Sequence, residues 1–150
     1  MERLMLENKV AIITGASYGM GQTMAELFAR EGAKVVMTAR GQEKLDAAVA
    51  GVKALGGDAV GVAADNKNLD DVKRVIQTAV DTYGDLDIVI NNAAIGEQKM
   101  IDETDDEWLE HVYQTNVFGP FRFILLASDM GRHVKGQVIQ VDCISSSFCK

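Results

Sequence analysis

Short apolar runs alternate with longer amphipathic segments along the chain, and this pattern predicts strands that are each followed by a helix. The runs lack the strict apolar–polar alternation of a half-exposed strand. Continuous apolar strands are typical of a parallel sheet that is covered on both faces. The predicted strands are Lys9–Thr14, Lys34–Ala39, Ala59–Ala63, Leu86–Ile90 and Gln137–Val141.

The segments between these runs predict helices. The first spans Gly19–Glu31 and is followed by Gly32, which is well placed to end it. The second spans Gln42–Leu55, and the third begins after Asn68, a good N-cap residue. Apolar spacing predicts a buried face in the first helix (Met20, Met24, Leu27 and Phe28) and in the third (Val72, Val75, Ile76, Ala79, Val80 and Tyr83).

A fourth helical stretch is predicted from a capping box at Thr104–Glu107 to about Val134, with a bend near Asn116 and Pro120. Repeated strand–helix units with right-handed crossovers predict an α/β fold, a doubly wound parallel (Rossmann-like) sheet. No linker interrupts the pattern, so residues 1–150 are interpreted as a single domain. Such sheets bind ligands at the carboxyl ends of their strands.

Gly15, Gly19 and Gly21 follow the first strand and open the first helix. A glycine turn leaves its backbone N–H groups uncovered and directs a helix N-terminus forward, which favours a pyrophosphate. The spacing is neither G-x-G-x-x-G nor that of a nucleoside-triphosphate loop. We predict nucleotide binding; the alternative is a turn that joins strand and helix without a ligand.

The second strand ends at Thr38-Ala39-Arg40, without the carboxylate that would bind a ribose 2′-hydroxyl. A guanidinium at this place suits a 2′-phosphate, because it offers a bidentate partner. The sequence therefore favours NADP(H) over NAD(H) as the cofactor. The alternative is that Arg40 is a solvated residue at a helix entrance.

Composition narrows the partners. The net charge of −7 argues against nucleic acid as a binding partner. No apolar run reaches the length needed to span a membrane. The N-terminal segment is charged and has no apolar signal core, which favours a cytoplasmic location. Cys143 and Cys149 form neither a disulfide framework nor a metal-ligand spacing, so no metal is expected. His111 and His133 lie apart in predicted helices and are interpreted as surface or packing residues.

Several motifs together resemble the short-chain dehydrogenase/reductase family, classical type. Residues 14–21, Thr-Gly-Ala-Ser-Tyr-Gly-Met-Gly, resemble its TGxxxGxG cofactor motif. Residues 91–94, Asn-Asn-Ala-Ala, look like its NNAG motif with alanine replacing the glycine. Asp65 and Asn116 stand where that family places an aspartate near the adenine and an active-site asparagine. The motifs follow in the family's order over the whole chain.

The resemblance implies roles for individual residues. In addition to the three glycines, Ser17, Tyr18 and Met20 would contact the phosphates and the adenosine side. Asp65 and Asn66 would border the adenine, Asn91 and Ala93 would border the ribose, and Asn116 would hold a water in a proton relay. The alternatives are a strand-ending turn at Asn91-Asn92 and a polar residue that marks a helix bend at Asn116. Family members also associate through the helix at 116–134, which predicts a homo-oligomer; a purely internal core is the competing interpretation.

The sequence departs from the family pattern in its last residues. Counting from Asn116 to the position of the carbonyl-polarising serine reaches Cys143, and a shifted register would bring Ser145 there instead. The family's Tyr-x-x-x-Lys pair does not occur in these 150 residues, nor do its last strands and helices, so the sequence resembles a C-terminally truncated member. The resemblance implies an NADP(H)-dependent oxidoreductase acting on a small-molecule carbonyl or secondary alcohol. The alternatives are a non-catalytic dinucleotide-binding fragment or scaffold and, more remotely, an interaction protein.

Overall fold

A computed structural model describes residues 4–96, 99–130 and 139–140 of the chain. Within these ranges no helix has the length and apolar character needed to cross a bilayer. The strands are β1 Val10–Thr14, β2 Lys34–Ala39, β3 Asp58–Ala63, β4 Ile88–Asn91 and β5 Ile139–Gln140. The helices are α1 Gly19–Arg30, α2 Gln42–Ala54, α3 Leu69–Tyr83, α4 Asp106–Tyr113 and α5 Gly119–Met130, with a π-helical turn at Gln114–Phe118 and a 3₁₀ turn at Ile101–Glu103.

All strand pairs are parallel, and the sheet has the order β3-β2-β1-β4-β5. The chain therefore adds β2 and β3 on one side of β1 and then adds β4 and β5 on the other side. This confirms the predicted doubly wound, Rossmann-like fold, and it places the point where the strand order reverses between β1 and β4. The predicted fifth strand extends on both sides beyond Ile139–Gln140, into residues outside the described ranges.

The sheet separates two apolar clusters, one on each face. Ile12 belongs to the first, which it shares with α3 and with Phe123 and Ala127 of α5. The next residue along β1, Ile13, points to the second, which is filled by α1 and α2. Successive residues of β1 thus enter opposite cores, which is why the strand reads as a continuous apolar run. The predicted apolar face of α3 is confirmed, with Val72, Val75, Ile76 and Ala79 fully buried.

The predicted buried face of α1 is wrong in part. Met20 and Leu27 are about half exposed, whereas the fully buried residues of this helix are Gly21 and Ala25. Met24 and Phe28 do pack against the core. The helix is rotated so that its small residues face β1, which lets the two backbones come close together.

The predicted capping box is also placed one residue too early. The side chain of Asp105 caps α4 by accepting a hydrogen bond of 2.8 Å from the backbone N–H of Trp108. Thr104 instead donates its hydroxyl to the carbonyl of Met100, at 3.0 Å, and so closes the preceding turn. The predicted bend is confirmed as the π-helical turn, while the predicted helix end at Val134 lies outside the described residues.

At the amino edge of the sheet, polar contacts hold the strands together. Asp87 accepts hydrogen bonds from Lys9 Nζ at 2.7 Å and from the N–H of Val10 at 2.8 Å. Tyr83, at the end of α3, donates its hydroxyl to Asp58 Oδ1 at 2.8 Å. Burial, followed by the contact with Asp58, raises the pKa of Tyr83 above its usual value. Ionisation of this phenol is therefore unfavourable in the folded protein.

This contact predicts how stability depends on alkaline pH. Because the pKa of Tyr83 is higher in the folded chain than in the unfolded chain, its contribution is fully present below about pH 10 and is lost as the pH rises further. We expect Tyr83→Phe to lower the free energy of unfolding by about 1 kcal/mol at neutral pH and to flatten the alkaline decline. Urea unfolding at a series of pH values measures both effects. Tyr113→Phe is the matched control, since the Tyr113 side chain is exposed; an equal change in both variants would contradict the prediction.

Candidate functional site

A hydrogen-bonded junction joins the carboxyl ends of β1 and β4. The hydroxyl of Thr14 donates to the carbonyl of Ile90 at 3.3 Å and accepts from the N–H groups of Asn92 and Ala93 at 3.0 and 2.9 Å. The amide Nδ2 of Asn92 donates in return to the carbonyls of Thr14 and Gly15, at 2.9 and 3.2 Å. Thr14 and Asn92 are both buried. This junction therefore fixes the ends of β1 and β4 relative to each other at the point where the strand order reverses.

The glycine turn rests on this junction, and two of its glycines are required by close contacts. A Cβ on Gly15 would lie 2.9 Å from the Cα of Ala93. A Cβ on Gly21 would clash with the carbonyl of Gly15 and lie 2.6 Å from Asn92 Nδ2. Gly19 has open space around it, but its φ of +59° is a conformation that L side chains rarely adopt. Helix α1 is thereby brought directly against the strand ends.

The N-terminus of α1 carries no side-chain cap and no acidic residue in its first turn. In contrast, α3 is capped by Asn68, whose Oδ1 accepts from the N–H groups of Asp70 and Asp71 at 2.9 and 3.3 Å. The first N–H groups of a helix have no partner within the helix. At α1 they remain available to an anion, and the positive end of the helix dipole favours one.

A cleft of about 570 Å³ extends from the glycine turn along the carboxyl edge of the sheet. This volume is in the range of pockets that bind cofactors. Nearly all the cofactor-binding residues predicted from the sequence lie on its wall. The lining residues include Gly15, Ser17, Tyr18, Gly19, Met20, Gly21, Arg40, Asp65, Asn66 and Ala93, together with Gly41–Lys44, Asn92, Ala94, Ile95 and Thr115.

Arg40 follows β2 directly and lines the end of the cleft that α2 borders. Its side chain is exposed and makes no hydrogen bond or ion pair with any described residue. Lys44 and Glu43, in the first turns of α2, line the same end. The guanidinium is therefore free to meet a ligand that occupies the cleft.

Asp65 and Asn66 form the loop after β3, which borders the cleft. Asp65 Oδ1 accepts from the N–H of Lys67 at 2.9 Å, and the N–H of Asp65 donates to Asp71 Oδ2 at 2.9 Å. Asn66 is 6% exposed, and its Nδ2 has no hydrogen-bond partner among the described residues. The loop is thus held by a contact within it and by Asp71 of α3, and Asn66 lines the cleft.

The two asparagines at the end of β4 lie in different environments. Asn92 forms the junction described above and lines the cleft, whereas Asn91 is buried, does not line the cleft, and has neither side-chain nitrogen nor oxygen bonded to a described residue. Ala93 does line the cleft. A ribose contact through the side chain of Asn91 therefore stays a prediction.

Asn116 lies in the π-helical turn and reaches across to the loop after β4. Its Oδ1 accepts from the N–H of Ile95 at 2.8 Å, and its Nδ2 donates to the carbonyl of Ile95 at 2.7 Å. The side chain is therefore occupied in fixing a cleft residue. Pro120, four residues later, has no N–H to donate to the main-chain carbonyl of Asn116, which explains why the regular helix is interrupted here.

Sequence reasoning missed the two contacts that shape the site. Thr14 was not predicted as a site residue, and Ile95 carries no functional group that a motif could reveal. Their partners lie 76 to 79 residues away for Thr14 and 21 residues away for Ile95. Cys143 and Ser145 lie outside the described residues. In the part of the chain that is described, no three His, Cys, Asp or Glu side chains are grouped to hold a metal ion.

Comparison with known proteins agrees with this geometry. The sequence model of the short chain dehydrogenase family matches residues 9–148. An uncharacterized oxidoreductase of Methylorubrum extorquens is 34% identical over 94% of this chain and 56% of its own length. The 3-oxoacyl-[acyl-carrier-protein] reductase FabG of Staphylococcus aureus is 33% identical over 91% of this chain and 56% of its own length.

Solved structures give the same result. A putative short-chain alcohol dehydrogenase from Sinorhizobium meliloti superposes with a TM-score of 0.79 at 31% identity, over 85% of this chain and 51% of that one. A short-chain dehydrogenase/reductase mutant from Serratia marcescens superposes with a TM-score of 0.82 at 28% identity, over 90% and 55%. The chain spans about half the length of the curated relatives it matches. With the family match, the glycine turn and the doubly wound sheet all in agreement, this chain belongs to the short-chain dehydrogenase family.

Proposed function

We propose that the chain provides the cofactor-binding half of an NADP(H)-dependent oxidoreductase that acts on a small carbonyl compound or secondary alcohol. The observation that carries the proposal is one cleft whose wall contains both an uncapped helix N-terminus and the exposed Arg40. A dinucleotide needs both features, a site for its pyrophosphate and a site for its adenosine ribose. The name of the Staphylococcus aureus relative, a 3-oxoacyl reductase, supports a carbonyl substrate.

The glycine turn would hold the pyrophosphate. Gly15 lets the turn approach Ala93, and Gly21 lets α1 approach Gly15 and Asn92, so that main-chain N–H groups rather than side chains would face the ligand. Ser17 and Tyr18 line the same wall, and Ser17 adds a hydroxyl that can donate to a phosphate oxygen. The turn therefore offers donors and a helix dipole without a fixed positive charge.

Arg40 would bind the 2′-phosphate that distinguishes NADP(H) from NAD(H). Its guanidinium can offer two parallel N–H donors to one phosphate, and neither donor is taken by a described residue. Asp65 lies on the same cleft wall but is engaged with the N–H of Lys67. On this arrangement Arg40 selects the cofactor, and the Asp65–Asn66 loop borders the adenine.

Asn116 would act at the catalytic end through its main chain. Its side chain is committed to Ile95, whereas its carbonyl lacks the donor that Pro120 would otherwise supply, so the carbonyl is the group we assign to a relay water. NADP(H), when bound, supplies the hydride, and the chain supplies orientation. Cys143, or Ser145 in a shifted register, would polarise the substrate carbonyl; a thiol is the weaker donor of the two.

A non-catalytic dinucleotide-binding module is the second candidate, because the described cleft is lined mainly by residues that we assign to nucleotide binding. A turnover assay together with calorimetric titration of NADPH distinguishes the two candidates. The purified 150-residue chain is mixed with NADPH and a panel of ketones, and absorbance of the reduced nicotinamide is followed. Turnover above a Ser17→Pro control contradicts the module, whereas NADPH binding without turnover contradicts catalysis by this chain alone. Absence of any NADPH binding contradicts both.

The role of Arg40 gives a quantitative prediction. We expect Arg40→Ala to weaken NADPH binding by roughly tenfold to a hundredfold, because a charge-assisted bidentate contact is lost, and to leave NADH affinity nearly unchanged. Isothermal titration calorimetry with both nucleotides measures the difference. Arg30→Ala is the control, since this exposed arginine lies in the last turn of α1, away from the cleft lining. Equal loss of affinity for NADPH and NADH would overturn the assignment.

The exposed apolar face of α5 predicts self-association. The surface of α5 exposes large apolar side chains, among them Phe121 at 67% and Leu125 at 62%. We propose that this face, within the helix predicted at 116–134, covers the same face of a second copy. Phe121→Glu with Leu125→Glu should shift the chain from dimer or higher oligomer to monomer in sedimentation equilibrium. Leu55→Glu, at a side chain 51% exposed after α2, should leave the mass unchanged. A wild-type chain that is monomeric throughout would contradict the proposal.

A further inference from the structure

We propose that Arg122 is a positioning residue that locks the π-helical turn against the Asn66 loop and thereby fixes Ile95 in the cleft wall. Arg122 lies one turn into α5 and is half-buried. Its NH2 donates to Gln114 Oε1 at 2.8 Å, and its NH1 donates to the main-chain carbonyls of Gln114 and Asn66 at 3.4 and 3.3 Å. One planar guanidinium thus joins the first residue of the turn to the loop after β3.

The turn needs such a contact, because its own hydrogen bonds are irregular. The N–H of Gly119 donates to the carbonyl of Gln114 five residues earlier, and Pro120 contributes no N–H. The carbonyl of Gln114 is where this wide loop closes, and it is also the carbonyl that Arg122 reaches from α5. Arg122 therefore stabilises the widened turn where the ordinary helical ladder is interrupted.

The Asn66 loop is the fixed surface against which the turn is held. A Cβ on Gly119 would lie 3.0 Å from the Cβ of Asn66, so the start of α5 and this loop are in direct contact. Gly119, Pro120 and Asn66 are all buried. The main-chain carbonyl of Asn66 is linked to the turn through Arg122. The side-chain Nδ2 of Asn66 makes no such link, since it has no hydrogen-bond partner among the described residues.

Asn116 links the π-helical turn to the cleft wall. This residue sits in the middle of the turn, and its side chain makes both hydrogen bonds that hold the main chain of Ile95. If the turn shifts, Asn116 can no longer meet the N–H and carbonyl of Ile95 together. Arg122 lines no part of the cleft and acts only through these residues. Its importance for the cofactor rests on the proposed function, whereas its effect on Ile95 does not.

Amide hydrogen exchange of the nucleotide-free chain, followed residue by residue by NMR, tests the proposal. We expect Arg122→Met to accelerate exchange at the N–H of Ile95 by roughly tenfold, since hydrogen bonds to a charged donor are removed and the local opening becomes easier. Asn116→Ala should accelerate the same amide directly. In the double variant, exchange at Ile95 should match Asn116→Ala alone, because Arg122 has no other route to that amide.

Arg30→Met is the control. Arg30 is an exposed arginine in the last turn of α1, and its side chain makes no hydrogen bond or ion pair with any described residue. This variant should leave exchange at Ile95 unchanged. Unchanged exchange in Arg122→Met, or additive effects in the double variant, would overturn the proposal.

Two further measurements keep the test decisive. If Arg122→Met does not fold, Gln114→Met removes the 2.8 Å acceptor of Arg122 together with the hydrogen bond that Gln114 Nε2 donates to Glu110 Oε1 at 2.6 Å. Glu110→Met removes the second contact alone. Exchange at Ile95 should be faster in Gln114→Met than in Glu110→Met; equal exchange in the two variants contradicts the proposal. Calorimetry with NADPH tests the proposed function separately from the role of Arg122. A wild-type chain that does not bind NADPH contradicts the proposed function, while the exchange result continues to decide the role of Arg122.

Discussion

The junction between Thr14 and Asn92 is the constraint on which the cleft depends. Two parallel strands that diverge at the strand-order reversal leave main-chain groups without ladder partners, and burying such groups unpaired costs free energy. Here one hydroxyl and one amide satisfy the main-chain groups at the ends of β1 and β4. Because the junction also holds Gly15 against Ala93, the glycine turn takes its position from β4 as much as from β1.

Most of the fold could be predicted from the sequence, because each strand and helix of a doubly wound sheet has its own local sequence pattern. Strand runs, the N-cap Asn68 and the apolar stripe of α3 are all local signals, and each was found. The buried face of α1 could not be predicted from apolar spacing, because Gly21 and Ala25 are chosen for their small size and not for hydrophobicity. Periodicity counts apolar positions, whereas close packing of a helix on a strand end selects the residues that let the backbones approach.

The candidate site was predictable where topology alone determines proximity. Residues that follow β1, β2 and β3 meet at one edge in any parallel sheet, so Arg40 and Asp65 could be placed beside the glycine turn without coordinates. The contacts that shape the cleft could not be predicted. Thr14 and Asn92 are 78 residues apart, and nothing in either residue type specifies the other. The two neighbouring asparagines also show the limit, since only Asn92 reaches the cleft and the sequence offers no way to distinguish it from Asn91.

Three polar contacts around the cleft share one property: a side chain binds main chain from another element. Asn92 binds the carbonyls of β1, Asn116 binds Ile95, and Arg122 binds Asn66. The side chains of Asn92, Asn116 and Arg122 therefore shape the walls. Exposed side chains such as Tyr18 and Arg40 line the cleft without a hydrogen-bond partner among the described residues. Under the proposed function, cleft shape and ligand choice would therefore be carried by different residues, and a change at Arg40 would alter which nucleotide binds without disturbing these contacts.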